Sequence, residues 1–321
     1  MTVATTFPGI TVWRTYQRGW LRGDLLAGVT VAAYLIPQVM AYAQIAGLPP
    51  AAGLLAIIAP TLVYAVLGSS RQLSVGPEST TALMTATAVA AVGVSGREAS
   101  AALAAALAVV TGALCILGWA FGLGFLADLF SKPVLVGYLA GVAVLMVVSQ
   151  IDSLTGIEVS GDSMPAEAWS ALTHLSDVHA PTLVLSSTLL VLLLLGAHFF
   201  PRLPNPLLAA LLGAAAVMVL GLDELGVAVV GPLPSALPQL SLPDLSPDAV
   251  ATMLAPALGI AVVAYSDNVL TARAFAERSG QQIDANQEFL ALGAANIAGG
   301  LLSGFPVSSS GSRTAIGASM G

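Results

Sequence analysis

Charge is what this chain has least of. Asp, Glu, Lys and Arg together make up 8% of its 321 residues, against about a quarter in a soluble domain. Hydrophobic residues make up 57%, more apolar surface than a water-soluble core of this length can hide, so the solvent is lipid. The formal charge of −7 therefore does not describe an acidic surface; the positions of the charges matter more than their sum. Cysteine occurs once, at Cys115 in an apolar run. That excludes an internal disulfide and a multi-cysteine metal site, and Cys115 reads as a small core residue. The three histidines, His174, His179 and His198, lie in loops or at the end of a run. A serine nucleophile needs a base within reach, so Ser303-Gly304 and the serines at 308–312 do not read as an intramembrane hydrolase. The N-terminus lacks a short apolar core with a small-residue cleavage site, and no cleavable signal peptide is expected.

Long apolar runs fill the rest. They cover 25–46, 51–68, 79–94, 99–121, 133–151, 181–200, 206–222, 249–275 and 285–302, and a tenth begins near Ser310. A spanning helix takes about 20 residues, with a range of about 17–25. Most runs fit; the third is short and the tenth is cut off by the chain end. The expectation is an all-α polytopic membrane protein with about ten spans.

With the N-terminus inside and one crossing per run, Arg14, Arg18, Arg22, Arg71, Lys132, Arg202, Arg273 and Arg278 fall on the cytoplasmic side. Arg97 falls outside and Arg313 within a span. Eight of the ten basic residues inside is the bias of the positive-inside rule. It places the protein in the cell (cytoplasmic) membrane and makes 152–180 and 223–248 external loops. The second of these is Pro-rich and reads as an irregular connection.

Two runs open with an interruption. The third begins Leu73-Ser74-Val75-Gly76-Pro77-Glu78-Ser79-Thr80-Thr81. Pro and an acid suit a helix start, while Ser74 and Val75 look extended. The tenth begins Phe305-Pro306-Val307-Ser308, extended because the residue before proline avoids the helical region; Ser310-Gly311-Ser312 then offers caps, with the helix beginning at Thr314. Extended backbone at membrane depth is tolerated only where protein buries it or it lines a cavity. Paired interruptions in corresponding positions of two halves point to a transporter binding site. Such a correspondence exists: Val31-Ala32-Ala33-Tyr34 resembles Val262-Val263-Ala264-Tyr265 at an offset of 231, and Ser79-Thr80-Thr81-Ala82-Leu83 resembles Ser312-Arg313-Thr314-Ala315-Ile316 at 233. Near-equal offsets suggest seven-span repeats, the second inverted by the odd span number.

Inverted repeats bring both half-helix N-termini together near the midplane, each carrying about half a positive charge. That is a site for an anion, lined by Ser74, Val75, Gly76, Ser308, Ser310 and Ser312. Arg313 adds a full charge, or pairs with Glu78 or a backbone carbonyl to join the repeats. Glu78 beside an anion would repel it, so it is turned away, paired with Arg313, or protonated. Tyr34, Gln38 and Tyr42 share a face around Pro37 and either line the cavity or simply pack. Asp267, well inside the eighth run, reads as a coupling site, a protonatable carboxylate or a Na⁺ ligand with Thr271 one turn along, or else as an interfacial residue.

At these residues the chain resembles the sulfate permease family, the prokaryotic relatives of solute carrier family 26. The resemblance rests on Asp24-Leu25-Leu26-Ala27-Gly28-Val29-Thr30-Val31, Ile36-Pro37-Gln38-Val39-Met40-Ala41-Tyr42-Ala43, Gly47-Leu48-Pro49-Pro50, Gly76-Pro77 and Gly304-Phe305-Pro306-Val307-Ser308. It also rests on the stretch from Gly53 through Tyr64 to Arg71, which departs from the family signature at Ala52 and Leu55. The resemblance implies a seven-plus-seven inverted-repeat fold with discontinuous spans 3 and 10. It divides the chain into a cytoplasmic N-terminus (1–23), core-domain spans 1–4 (24–128), gate-domain spans 5–7 (129–222), an external loop (223–248) and core-domain spans 8–10 (249–321). The last four spans and a cytoplasmic STAS domain are then absent. It further implies a small-anion substrate between spans three and ten, sulfate foremost with bicarbonate or another small anion as alternatives. Uptake would be coupled to H⁺ or Na⁺ or run by exchange, in a homodimer of the full-length protein. Asp267 stands where relatives carry an acid. No cofactor, resident metal or nucleic acid is expected. A nucleobase carrier of the same fold, and a non-transporting sensor or motor on that scaffold, are the rival readings.

Overall fold

The computed structural model describes residues 7–93, 96–128, 137, 140–141, 144, 147–148, 150–157, 169–170, 172–200, 203, 205–229 and 240–320. The fifth apolar run, Lys132, Arg202 and the Pro-rich stretch of 223–248 lie largely or wholly outside these residues. The elements are α1 (Pro8–Arg14), α2 (Leu21–Ile45), α3 (Pro50–Leu67), β1 (Val75–Gly76), α4 (Ser79–Val92), α5 (Arg97–Ala120), α6 (Ile151–Thr155), α7 (Ala180–Phe199), α8 (Asn205–Leu220), α9 (Pro247–Ser279), α10 (Ala285–Leu301), β2 (Ser308–Ser309) and α11 (Gly311–Met320). Among the described residues, five helices are long and apolar enough to cross a membrane, among them α3, α5 and α7; α4 and α8 are apolar but shorter.

The chain divides into two compact units. One comprises residues 1–131 and 234–321, the other 132–233. In the smaller unit α7 packs on α8 and α6. His179, just before α7, bonds Thr182 Oγ1 at 2.8 Å through Nδ1 and the carbonyl of Leu225 at 2.9 Å through Nε2. Leu194 and Met218 stand exposed there, as apolar side chains do when lipid is the solvent.

The larger unit is built on two helices that nearly touch. A Cβ placed on Gly112 of α5 would lie 2.5 Å from the carbonyl oxygen of Gly293 of α10. One on Gly293 would lie 2.8 Å from that of Gly112, and one on Gly300 would lie 2.6 Å from that of Ala105. Small residues at a crossing let backbones approach this closely, which is how helices associate where lipid removes the hydrophobic drive. The core around them is rich in alanine, with Tyr265 and Phe289 stacked at a centroid distance of 3.4 Å.

Helix ends follow local chemistry. Asp284 caps α10 by accepting from the amides of Asn286 and Gln287, and Gly93 and Gly280 end α4 and α9 in the left-handed region. α9 runs four residues past the apolar run read from the sequence, through Glu277 to Ser279, because hydrogen bonding continues where hydropathy stops. The two interrupted helices start elsewhere than the sequence suggests. α4 begins at Ser79, not in the Gly-Pro turn: Glu78 is extended (φ −143°, ψ 154°), and only so does its carboxylate reach the amides of Thr80 and Thr81. α11 begins at Gly311, since the carbonyl of Ser310 already accepts from the amide of Thr314 at 2.9 Å.

The glycine crossing gives the first prediction. Gly112→Val in the full-length protein forces backbone against backbone and lowers stability by more than the ~1–3 kcal/mol usual for overpacking. Gly28→Ala, where a Cβ meets nothing within 4 Å, leaves the melting temperature in detergent unchanged or slightly raised. Equal melting temperatures for the two variants would show that the crossing yields.

Candidate functional site

The site is assembled by backbone. β1 and β2 pair antiparallel, Val75 with Ser309 and Gly76 with Ser308. Each strand carries a helix at its end, so the pairing sets the start of α4 beside the start of α11. The remaining polar groups of the two strips are satisfied one by one. The amide of Ser310 donates to the carbonyl of Ser74 at 3.0 Å, and the amide of Ser74 to Thr314 Oγ1 at 3.1 Å. Thr61 Oγ1 donates to the carbonyl of Val75 at 3.3 Å. Ahead of β2, Asn296 faces Val307 like a third strand: its Oδ1 accepts from the Val307 amide at 2.9 Å and its Nδ2 donates to the Val307 carbonyl at 3.1 Å.

Arg313 is fully buried. Its Nη1 donates to the carbonyl of Pro77 at 2.6 Å and lies 3.5 Å from Gln38 Oε1, and its Nε lies 3.4 Å from Ser74 Oγ. A guanidinium from the second half thus holds the turn that starts the half-helix of the first. Gly76 makes room for Ile57: a Cβ there would stand 2.0 Å from Ile57 Cδ1, and in ordinary contact, 3.4 Å, with Arg313 Nη2. Gln38 Nε2 donates to Tyr42 Oη at 3.1 Å, so these two share a helix face; the side chain of Tyr34 is outside the described residues.

Glu78 is turned onto its own helix. One carboxylate oxygen accepts from the amides of Thr80 at 2.8 Å and Thr81 at 3.4 Å, and the other from the hydroxyl of Ser79. At α11 the cap is a hydroxyl: Ser310 Oγ lies 3.5 Å from the amide of Arg313 and 3.1 Å from Ser312 Oγ, while Gly311 and Ser312 are exposed.

Asp267 reaches the same strand from the other side. Its Oδ2 accepts from Ser309 Oγ at 3.2 Å and lies 3.5 Å from Ser308 Oγ, whose hydroxyl also reaches the carbonyl of Ala264. Thr271 lies one turn along α9, and the hydrogen bonds described for Asp267 go to β2 rather than to it. The structure therefore brings Gln38, Ser74, Val75, Gly76, Glu78, Ser308, Ser310, Ser312, Arg313 and Asp267 into one neighbourhood and leaves Thr271 at its edge.

The sequence reading passed over Glu288, a second carboxylate with no exposure at all. It accepts from Tyr64 Oη at 2.7 Å, the Ser69 amide at 2.9 Å, Ser69 Oγ at 2.6 Å and Asn268 Nδ2 at 2.6 Å. Four donors and no cation among these bonds make it a tie between the end of α3, the middle of α9 and the start of α10. An acid in a first turn suits any helix dipole, so its position alone gave no signal.

A family profile described as the sulfate permease family matches residues 21–321. A protein of Mycobacterium tuberculosis named as a probable sulfate transporter is 53% identical over 316 residues, covering 98% of this chain and 56% of that one. The chain spans about half the length of the curated relatives it matches. Among solved structures, the murine solute carrier 26 family member A9 anion transporter in the inward-facing state superposes with a TM-score of 0.92 at 20% identity, covering 99% of this chain and 56% of that one. The transmembrane domain of a cyanobacterial bicarbonate transporter gives 0.83 at 21% identity, covering 95% and 78%. These likenesses establish the fold: a seven-plus-seven inverted-repeat architecture with discontinuous spans 3 and 10, in a multi-pass membrane protein.

Glu288→Ala strands four donors, of which Tyr64 Oη and Asn268 Nδ2 are buried, and lost hydrogen bonds to a charged acceptor cost about 1.5–3 kcal/mol each. The variant melts well below Asp284→Ala, which removes only a helix cap worth ~1 kcal/mol. Thermal unfolding of the two in one detergent decides; Glu288→Ala melting no lower would demote the network to a minor contact.

Proposed function

Because the chain belongs to the sulfate permease family, we propose that the full-length protein is a secondary active transporter of small anions, sulfate foremost, and that the anion binds where α4 and α11 begin. One observation carries this reading: the β1–β2 pair sets two helix N-termini side by side with Arg313 between the strips. Oriented amides and a buried guanidinium suit an anion whose charge need not be matched by a metal. The names of the relatives, sulfate for the mycobacterial protein and bicarbonate for the cyanobacterial one, support the substrate class.

Asp267 is the coupling group in this reading. A carboxylate at membrane depth is expensive unless a cation or proton joins it. Its hydrogen bonds to Ser308 and Ser309 place it on the strand opposite β1, one residue from the Ser310 cap. H⁺ or Na⁺ at Asp267 would settle the same strand that settles the anion, and by linkage each would tighten the other. The protein acts in the cell membrane as a homodimer, with its N-terminus and Arg71 cytoplasmic, as the charge bias suggests.

Radiolabelled sulfate uptake by the full-length protein in liposomes tests the anion half. Arg313→Gln weakens sulfate binding about tenfold or more, the scale of a lost charge-assisted bond, while Arg273→Gln does not. Equal affinities would leave Arg313 as a structural tie alone.

Imposed pH and Na⁺ gradients test the coupling half. Asp267→Asn abolishes gradient-driven accumulation and keeps part of the binding. Accumulation with undiminished gradient dependence in Asp267→Asn would sink the coupling role.

A further inference from the structure

The two half-helices are related by the repeat but finished differently. At the offset that aligns Ser79 with Ser312, Glu78 falls on Gly311. One helix start therefore carries a carboxylate where the other has a glycine, and the cap of the second is the neutral Ser310 hydroxyl. The carboxylate is not idle: it takes the amides of Thr80 and Thr81 and the hydroxyls of Ser79 and Thr80. Those are the donors that an anion at the start of α4 would need.

We propose that Glu78 is a tethered anion that competes with the transported anion for the start of α4, so that substrate uses these amides only when Glu78 is displaced or protonated. This rests on the anion-site reading above and says which half of that site is closed at rest. At α11 Gly311 and Ser312 are exposed, and Ser310 Oγ lies 3.1 Å from Ser312 Oγ and 3.5 Å from the Arg313 amide; with neutral hydroxyls in place of a carboxylate, that helix start meets the substrate first. The amides of α4 are the second half of the grip, reached only by exchange of one anion for another.

The charges facing Glu78 fit an exchange. From α11 comes Arg313, bonded to the carbonyl of Pro77 next in the chain. From α9 comes Asp267, held on β2 by the hydroxyls of Ser308 and Ser309, across the ladder from β1. α2 contributes neutral Gln38. A substrate anion entering would add a third negative charge beside two carboxylates and one guanidinium. Protonation of Glu78 removes one of those charges and frees both amides, because a neutral acid is a weaker acceptor than a carboxylate. Proton and anion then favour each other's binding, as linkage requires. The balance is simple: one proton joins a carboxylate oxygen, no bond to carbon changes, and the proton leaves when the carboxylate returns to the amides.

Glu78→Gln and Glu78→Ser separate cap from charge. Both keep a neutral acceptor for the α4 amides, and Ser is among the favoured caps, so at least one of them folds. The measurement is equilibrium binding of radiolabelled sulfate to full-length protein across about pH 8 to about pH 5, with bicarbonate as a second probe at the upper end. Wild type is expected to bind sulfate more tightly as pH falls. The variants are expected to bind about tenfold tighter than wild type at the upper end, with a flattened pH profile. Glu78→Asp, which keeps the charge, is expected to keep the slope. Sulfate affinity and pH slope equal to wild type in both neutral variants would overturn the competition while leaving the anion site standing. Absence of anion binding in wild type and variants alike would sink the site itself, and this inference with it.

Discussion

Two extended strips at membrane depth have to find partners for their backbone, and the rest of the larger unit is arranged around that need. In lipid an unpaired amide or carbonyl costs several kcal/mol. The strips answer mostly with each other, through the β1–β2 ladder, and where the ladder ends side chains continue it: Thr314 and Thr61 on the first strip, Asn296 on the second. Because each strip leads directly into a helix, satisfying the backbone also fixes where two helix N-termini point. The side-by-side placement of the two helix starts is thus a consequence of hydrogen-bond satisfaction and needs no separate device.

That solution requires a rigid backing, which the glycine crossing of α5 and α10 supplies. Gly112 and Gly293 allow backbone contact where any side chain would hold the helices apart. α10 also carries Asn296, which clasps the second strip, and Glu288, which gathers the end of α3 and the middle of α9. Close packing and the polar network reinforce one another on a single helix: shifting α10 would break the strip's clasp and strand the donors around Glu288 together.

Much of this was legible in the sequence, for stated reasons. Hydropathy marks the apolar helices, because lipid imposes a length and a composition on any helix that crosses it. The strips were legible at Ser74-Val75 and Val307-Ser308 because Pro77 and Pro306 push the residue before each of them away from the helical region. Cys115, read as a small core residue, is fully buried. What escaped were partnerships made across distance. Glu288 meets Tyr64 and Ser69 from more than 200 positions away, and nothing local to Ala285-Asn286-Gln287-Glu288 shows it. The start of α4 was misplaced for a related reason: the Gly-Pro-Glu triplet suits a helix start in either of two registers, and the choice falls to which amides the carboxylate can reach.

The repeat supplies the scaffold twice and the chemistry once. At the offset of 233, Arg313 of the second half falls on Thr80 of the first, and Glu78 of the first falls on Gly311 of the second; at the offset of 231 that aligns Tyr34 with Tyr265, Asp267 falls on Ile36. The second half therefore brings the guanidinium and the membrane-depth carboxylate on α9, and the first brings the carboxylate that caps its own helix. A symmetric pair of strips and helix starts could hold an anion but could not distinguish its occupied from its empty state by charge. Dividing the ionisable groups unequally between the halves gives the paired helix starts a directional electrostatic arrangement while leaving the backbone ladder that positions them symmetric. The fold persists at 20% identity because the ladder depends on backbone, whereas the groups set around it are free to differ.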